Sequence, residues 1–460
     1  MAADHRQVAT LAVPIIIANL TQPMLAAADT AVAGHLGAAS MLGGVAQGGL
    51  LLGFIFWSFG FLRMGTTGLV AQAAGAGDER AVAAHLARGL SLALALGTLL
   101  LLAAPLLLPN ALALLGGSAA VQADAHAYCL ARLLAAPAVL GNYVVLGHLL
   151  GLQRVRSALM LQVGVNIINL SALAIAVGKL GGGVASIGIA TACADILGFA
   201  AGLLWLAHMA RQRGAIRQSA DGAPTPNRAT TDRMQRWLAA LSDRAAWRRL
   251  VGVNRDIFVR TFCLLAALAA FSRGSARLGD TILAANAVLQ VFGNLTSFAL
   301  DGIAQAVEAL VGTAVGRRDR AAFAAALRAS AHFTAAGATC FALFYLVCGD
   351  WLIAKLTALP EVAIAAHHAL PWAVLLPLVA APGFLLDGVY IGATRTGALM
   401  RSMVVAAIGF AATLYASASW GNNGLWCALI VLMLLRGVTL ALWLPSLLRE
   451  HFALRADAPT

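Results

Sequence analysis

The sequence predicts an all-α polytopic membrane protein, with twelve transmembrane helices in two six-helix lobes. Three observations carry this. The 460 residues are 61% hydrophobic and only 11% charged, with mean hydropathy +0.84, where a soluble domain carries roughly 25% charged residues. The charges gather between apolar runs, each long enough to cross a ~30 Å hydrocarbon layer as a helix. The two halves of the chain also repeat one another. In lipid every backbone N–H and C=O must be satisfied within its own segment, so the runs are helices. They are too long and too uniformly apolar for the alternation of a membrane β-barrel.

The spans fall at 9–36, 41–73, 83–108, 121–151, 157–178, 182–209, 251–277, 281–315, 321–348, 363–393, 398–419 and 422–447. The first is a retained helix rather than a signal peptide, because its apolar stretch is long and carries Asn19, Gln22 and Asp29. Arginine sorts the connections. Those after the first, third and fifth spans hold none, and only Lys179 is basic there. The alternate connections hold Arg80 and Arg88, then Arg154 and Arg156, then a dense run over 211–255, then Arg317, Arg318 and Arg320, then Arg395 and Arg401. By the positive-inside rule both termini are cytoplasmic. The same rule accounts for the net charge of +12, so nucleic acid is not an implied partner. The six cysteines are scattered singly and read as small buried apolar residues.

The long connection, 210–250, divides an N-lobe (1–209) from a C-lobe (251–460). Its first part, RQRGAIRQSADGAPTPNRATTD, is rich in Pro, Gly and Arg. Its second part places Met234, Trp237, Leu238, Leu241 and Ala245 on one helical face, the pattern of a helix lying in the membrane interface.

The repeat is explicit. HLGAASMLGGVAQ follows the first span and RLGDTILAANAVLQ the seventh, and each leads to a turn, GAGDERA and GRRDRAA. Gly147-His-Leu-Leu-Gly151-Leu-Gln-Arg154 matches Gly388-Val-Tyr-Ile-Gly392-Ala-Thr-Arg395 at an offset of 241. An even number of spans per half makes the repeats parallel, related by a pseudo-twofold axis along the membrane normal. Two such halves flanking a cleft form the pathway of a secondary transporter. The paired G-x-x-x-G motifs permit close helix packing.

Ionisable residues inside spans cost about 2.5–3.5 kcal/mol each on insertion scales, so each raises a question of function. In the N-lobe, Gln22 and Asp29 share one face of the first span, with the small Ala26 and Ala33 leaving room. Gln162, Asn166 and Asn169 make a polar stripe on the fifth span, and Thr191 and Asp195 lie four apart on the sixth. They are expected to converge inside this lobe, where a desolvated carboxylate can load and release a proton. In the C-lobe, Asn286, Gln290, Asn294, Ser297, Asp301, Gln305 and Glu308 form one polar face along the eighth span. Asp256 and Arg260 open the seventh span at the depth of Asp301 and Glu308, and Asp387 lies in the inner half of the tenth. Arg260 is expected to pair with Glu308 or Asp256, either as glue between helices or as part of a transport site. Arg63 carries the same two readings. His148 is expected to pack quietly, and Arg132 to extend outward to the interface.

These residues carry a family likeness. The chain resembles the multidrug and toxic compound extrusion (MATE) transporters, in particular their DinF branch. The likeness runs from LAVP around Pro14 through ADTAVAGHLG, FLRMGTTGLVAQA, NRDIFVRT, ARLGDTILAANAVL, LDGIAQAVEALVG and LLDGVYIGATR. It implies a two-lobed, V-shaped exporter that exchanges protons or sodium for organic cations. It implies that Asp29 is the central coupling carboxylate, that Asn169 assists it, and that the first helix bends near Pro14. Many members of the branch carry a second Asp four residues after that Asn, where this chain has Leu173. Asp195 is expected to take over its role from the adjacent helix.

The resulting expectation is a cation-coupled antiporter, proton-driven in preference to sodium-driven, in a bacterial inner membrane. It acts as a monomer in contact with membrane lipids, and small amphipathic, cationic compounds are the substrates. Sodium would be coordinated at Asp29 and Asn169; otherwise no metal and no cofactor is expected. The alternative is a flippase or exporter of a lipid-linked or amphipathic metabolite, with the basic 211–255 segment recruiting an anionic headgroup. An intramembrane enzyme is set aside, because the chain has no paired metal ligands, no His-x-x-x-Asp and no Ser–Lys arrangement.

Overall fold

The computed structural model describes residues 5–33, 39–178, 183–221 and 240–452, excepting the side chains of 22–31, 33, 39, 177, 178 and 213–221. The described residues of the first half form eight α-helices: α1 (His5–Ala33), α2 (Ala39–Ser58), α3 (Phe61–Gly75), α4 (Glu79–Leu115), α5 (Ala119–Leu133), α6 (Ala136–Gly151), α7 (Val155–Gly178) and α8 (Val184–Asp221). The second half adds α9 (Arg244–Arg277), α10 (Asp280–Gly316), α11 (Arg320–Leu356), α12 (Pro360–Gly392), α13 (Thr396–Ala416) and α14 (Asn422–Phe452). The second span is α2 followed by α3 across a break at Phe59–Gly60. The fourth is α5 followed by α6, bent by 53°. Ten segments are long and apolar enough to cross a membrane, the bent pair makes an eleventh, and α1 occupies the remaining place. Leu106, Val347 and Leu442 are each more than 70% exposed, as side chains facing lipid must be.

Several helices overrun their predicted ends. α4 runs from 79 to 115 and α8 to 221, because hydropathy marks only the stretch that needs hydrocarbon, whereas a helix continues wherever its backbone bonds can. α9 begins at Arg244, not 251, and Asp243 caps it by accepting from the Ala246 amide at 3.0 Å. Residues 232–239 of the predicted interfacial helix lie outside the described residues. Of the rest, 240–242 are helical, and from Arg244 onward it is the start of α9.

The repeat extends to atomic detail. Asp78 and Asp319, 241 positions apart, each cap a helix by accepting from the amide three residues on, at 2.9 and 2.8 Å. Gly77 and Arg318 both take left-handed backbone, as do Gln153 and Thr394, each pair again separated by 241. Within the N-lobe a Cβ on Gly147 would lie 2.5 Å from the Arg63 carbonyl; within the C-lobe a Cβ on Gly388 would lie 2.5 Å from the Ala304 carbonyl. The G-x-x-x-G motifs are therefore packing devices that press α6 on α3 and α12 on α10.

Candidate functional site

The lobes meet along a seam formed chiefly by α3 and α1 of the first half and α10, α12 and α9 of the second. At its arginine-rich end the seam is reciprocal. A Cβ on Gly75 would lie 2.2 Å from the Thr313 carbonyl, and one on Gly316 would lie 2.1 Å from the Gln72 carbonyl. Gln72 Nε2 donates to Thr394 Oγ1 at 3.1 Å, and Gln153 Nε2 donates to Thr313 Oγ1 at 3.0 Å. Each contact maps onto its counterpart by the offset of 241, as an axis running between α3 and α10 requires. Gln72 also donates to the Gly392 carbonyl at 2.9 Å. Further along, Phe61 meets Phe258 edge-on at 5.9 Å between centroids, and Asn19 of α1 donates to the Phe298 carbonyl at 3.2 Å.

In the N-lobe, α1 and α7 run in the same direction. Gln162 Nε2 donates to the Ala18 carbonyl at 3.2 Å, and Asn166 Nδ2 donates to Thr21 Oγ1 at 2.8 Å. Continued along both helices, this register brings Leu173 to the level of Asp29. The side chains of Gln22 and Asp29 lie outside the described residues. Pro14 sits within an uninterrupted α1. Asn169 is fully buried, and neither atom of its side-chain amide has a hydrogen-bond partner among the described residues. Thr191, also buried, donates to the Ile187 carbonyl of its own helix at 3.2 Å. Asn166 thus ties α7 to α1, and Thr191 bonds within its own helix. Asp195 faces Arg132 of α5, Oδ2 to Nη2 3.8 Å. The expectation that Arg132 extends outward is therefore corrected. A carboxylate within reach holds the guanidinium inside the lobe, and its side chain is 17% exposed.

In the C-lobe the predicted partners of Arg260 are also corrected. Its Nη2 bonds Asp387 Oδ2, and Arg436 of α14 bonds the same oxygen from the other side. Arg436 also stacks over Phe384 at 4.7 Å. All three charged side chains are less than 10% exposed. Glu308 loses Arg260 because Arg63 of α3 reaches it from the opposite lobe, Nη1 to Oε2 3.6 Å, and reaches Asp301 Oδ2 at 3.9 Å. Asp256 is held by Arg255 at 2.8 Å and by Thr396, whose hydroxyl donates at 3.2 Å.

The polar face of α10 divides into three. Asn286 is buried and accepts from Trp426 Nε1 at 2.9 Å while donating to Ser275 and Asn422, both at 2.7 Å; it ties helices together. Gln290 and Ser297 are half-buried and Asn294 is exposed, so this middle stretch is not sealed against other helices. Asp301, with a side chain 34% exposed, lies between it and the charged cluster, and Gln305 donates to it at 2.7 Å. Arg436 is the important residue that sequence reading missed. It is a charge in the middle of the twelfth span, so the cost that singled out Asp387 singles it out too.

A pseudo-symmetric pair of six-helix lobes with buried charges along their seam defines a membrane transporter, not an enzyme. The MatE family model matches residues 14–175 and 257–415, and the chain belongs to that family. It is 40% identical over 442 residues to DNA damage-inducible protein F of Escherichia coli (strain K12), covering 96% of this chain and 91% of that one. Among solved structures, a MATE protein in the bent conformation superposes with TM-score 0.82 at 17% identity, covering 98% of this chain and 97% of that one. An outward-facing multidrug resistance MATE family transporter of the MOP superfamily gives 0.79 at 17% identity, with the same coverage.

Proposed function

We propose that this protein is a cation-coupled efflux antiporter for small amphipathic organic cations, driven by protons rather than sodium. Its two halves, 1–209 and 251–460, rock about the seam, with both termini on the cytoplasmic side of a bacterial inner membrane. The observation that carries the reading is the reciprocal seam at the arginine-rich end. Two hydrogen bonds and two glycine contacts, all interchanged by the pseudo-twofold axis, close that end while polar residues of α10 stay exposed beyond it. With the arginine-rich end cytoplasmic, this is an outward-facing state. The solved relatives include a MATE protein in bent and in straight conformations; here α1 is taken to bend near Pro14 when Asp29 changes its proton occupancy.

Coupling requires that proton and substrate favour different states. Asp29, supported by Asn169, is the proposed proton carrier. Asp195 supplies the second carboxylate that Leu173 lacks, with Arg132 balancing its charge. Sodium is the less favoured ion because Leu173 removes an oxygen ligand beside Asp29. The test is transport of an organic cation such as ethidium in proteoliposomes under a proton or a sodium gradient imposed separately. Uphill accumulation under the proton gradient alone supports the reading, and accumulation under sodium alone overturns the proton assignment. No distinct observation favours the flippase alternative.

A further inference from the structure

The two charged clusters of the C-lobe are built differently. Asp387 is clamped by Arg260 and Arg436, three side chains of one lobe in close contact. Asp301 and Glu308 instead share Arg63, which belongs to the other lobe, at 3.9 and 3.6 Å. Those distances are too long for hydrogen bonds. Glu308 Oε2 and Arg63 Nη1 are both buried and lack any hydrogen-bond partner among the described residues. Two buried opposite charges held this loosely make poor glue.

The charge count gives the looseness a purpose. Counted with every carboxyl ionised, three arginines face three carboxylates when Arg63 is in place, and the formal sum is zero. The C-lobe alone has Arg260 and Arg436 against Asp301, Glu308 and Asp387, one negative charge in excess. If the lobes part at the seam, Arg63 leaves with its own lobe and that charge is exposed at Asp301 and Glu308. Asp301 is itself one-third exposed, on the helix face that continues to Ser297, Asn294 and Gln290.

We propose that Asp301 and Glu308 form an acceptor site for the positive charge of a monovalent organic cation, and that Arg63 is its built-in competitor. In the seam-open state the site takes the substrate's charge. When the seam closes, the guanidinium returns, restores neutrality and expels the cation toward the open side. Arg63 thus sets a limit of one charge per substrate at this site. This rests on the rocking-lobe reading above.

The test is equilibrium binding of tetraphenylphosphonium to detergent-solubilised full-length protein, paired with its export from vesicles, for the wild type, R63Q, R63K and R63Q/D301N. The proposal expects R63Q to bind at least tenfold tighter than wild type while exporting more slowly. R63K should stay within threefold of wild type, and R63Q/D301N should lose the gain. Unchanged or weaker binding by folded R63Q, with wild type exporting normally, overturns the competitor role alone. Uptake of one proton by R63Q without tighter binding assigns the vacant charge to a proton and overturns the organic-cation site. If wild type neither binds nor exports the probe or ethidium, the cation-export reading falls and this proposal with it.

Discussion

Gln72 and Thr394 meet across the lobe seam at 3.1 Å, and 241 positions along the chain their counterparts, Thr313 and Gln153, meet at 3.0 Å. In both bonds a glutamine of the first half donates to a threonine of the second. Such a contact must break whenever the two lobes separate at that end. The pair Q72C/T394C should therefore form a disulfide under mild oxidation and arrest transport, with a reductant restoring it. Transport that survives complete cross-linking would mean the seam does not open during the cycle.

The glycine contacts give a second expectation. Gly75→Val and Gly316→Val each push a side chain against a backbone carbonyl that cannot move aside. Overpacking of this kind costs about 1–3 kcal/mol, enough to shift a two-state equilibrium by roughly 5- to 150-fold. Both variants should insert normally, disfavour the closed seam and lose transport to similar extents. Similar losses are expected because the two sites are pseudo-equivalent. A large effect at one glycine and none at the other would contradict the shared axis.

Loss of Asp387 and loss of Asp301, both carboxylates of the C-lobe, should differ in their effect on thermal stability. Asp387→Asn leaves Arg260 and Arg436 buried against each other, and breaking a buried pair from one side costs about 3–5 kcal/mol. Asp301→Asn acts on a side chain one-third exposed and held by Gln305, so its effect should stay within about 1 kcal/mol. Melting curves of the purified variants decide it; equal losses would place Asp301 in the structural cluster.

The pairing of Asp195 with Arg132 separates a structural from a coupling role. If the pair only balances charge, D195N should impair the protein and R132Q/D195N should recover it. With Asp195 as the second coupling carboxylate, the double variant recovers stability but not proton-driven export. Full drug–proton exchange by D195N would end that role.

Much of this architecture is legible in the sequence because a membrane enforces it. Apolar length sets the spans, arginine placement groups the connections, and Gly147/Gly388 expose the repeat. Partner identity is not legible in the same way. Depth along the membrane grouped Arg260 with Glu308 and Asp256, but which residue a guanidinium reaches depends on how each helix is rotated. Only the fold shows that α12 turns Asp387 toward Arg260 and that α3 brings Arg63 across to Glu308. The face of α10 shows the same limit. Its spacing identifies a continuous polar stripe, but not that Asn286 binds helices together while Asn294 stays open.

Everything proposed for transport rests on Asp29 coupling ion movement to export. It is tested most directly by proton-driven accumulation in proteoliposomes without trapped substrate, comparing wild type with Asp29→Asn under an imposed proton gradient. Wild type should concentrate an organic cation against its gradient. The variant should only let it equilibrate. Uphill accumulation by the variant at the wild-type rate would mean that Asp29 does not couple ion movement to export.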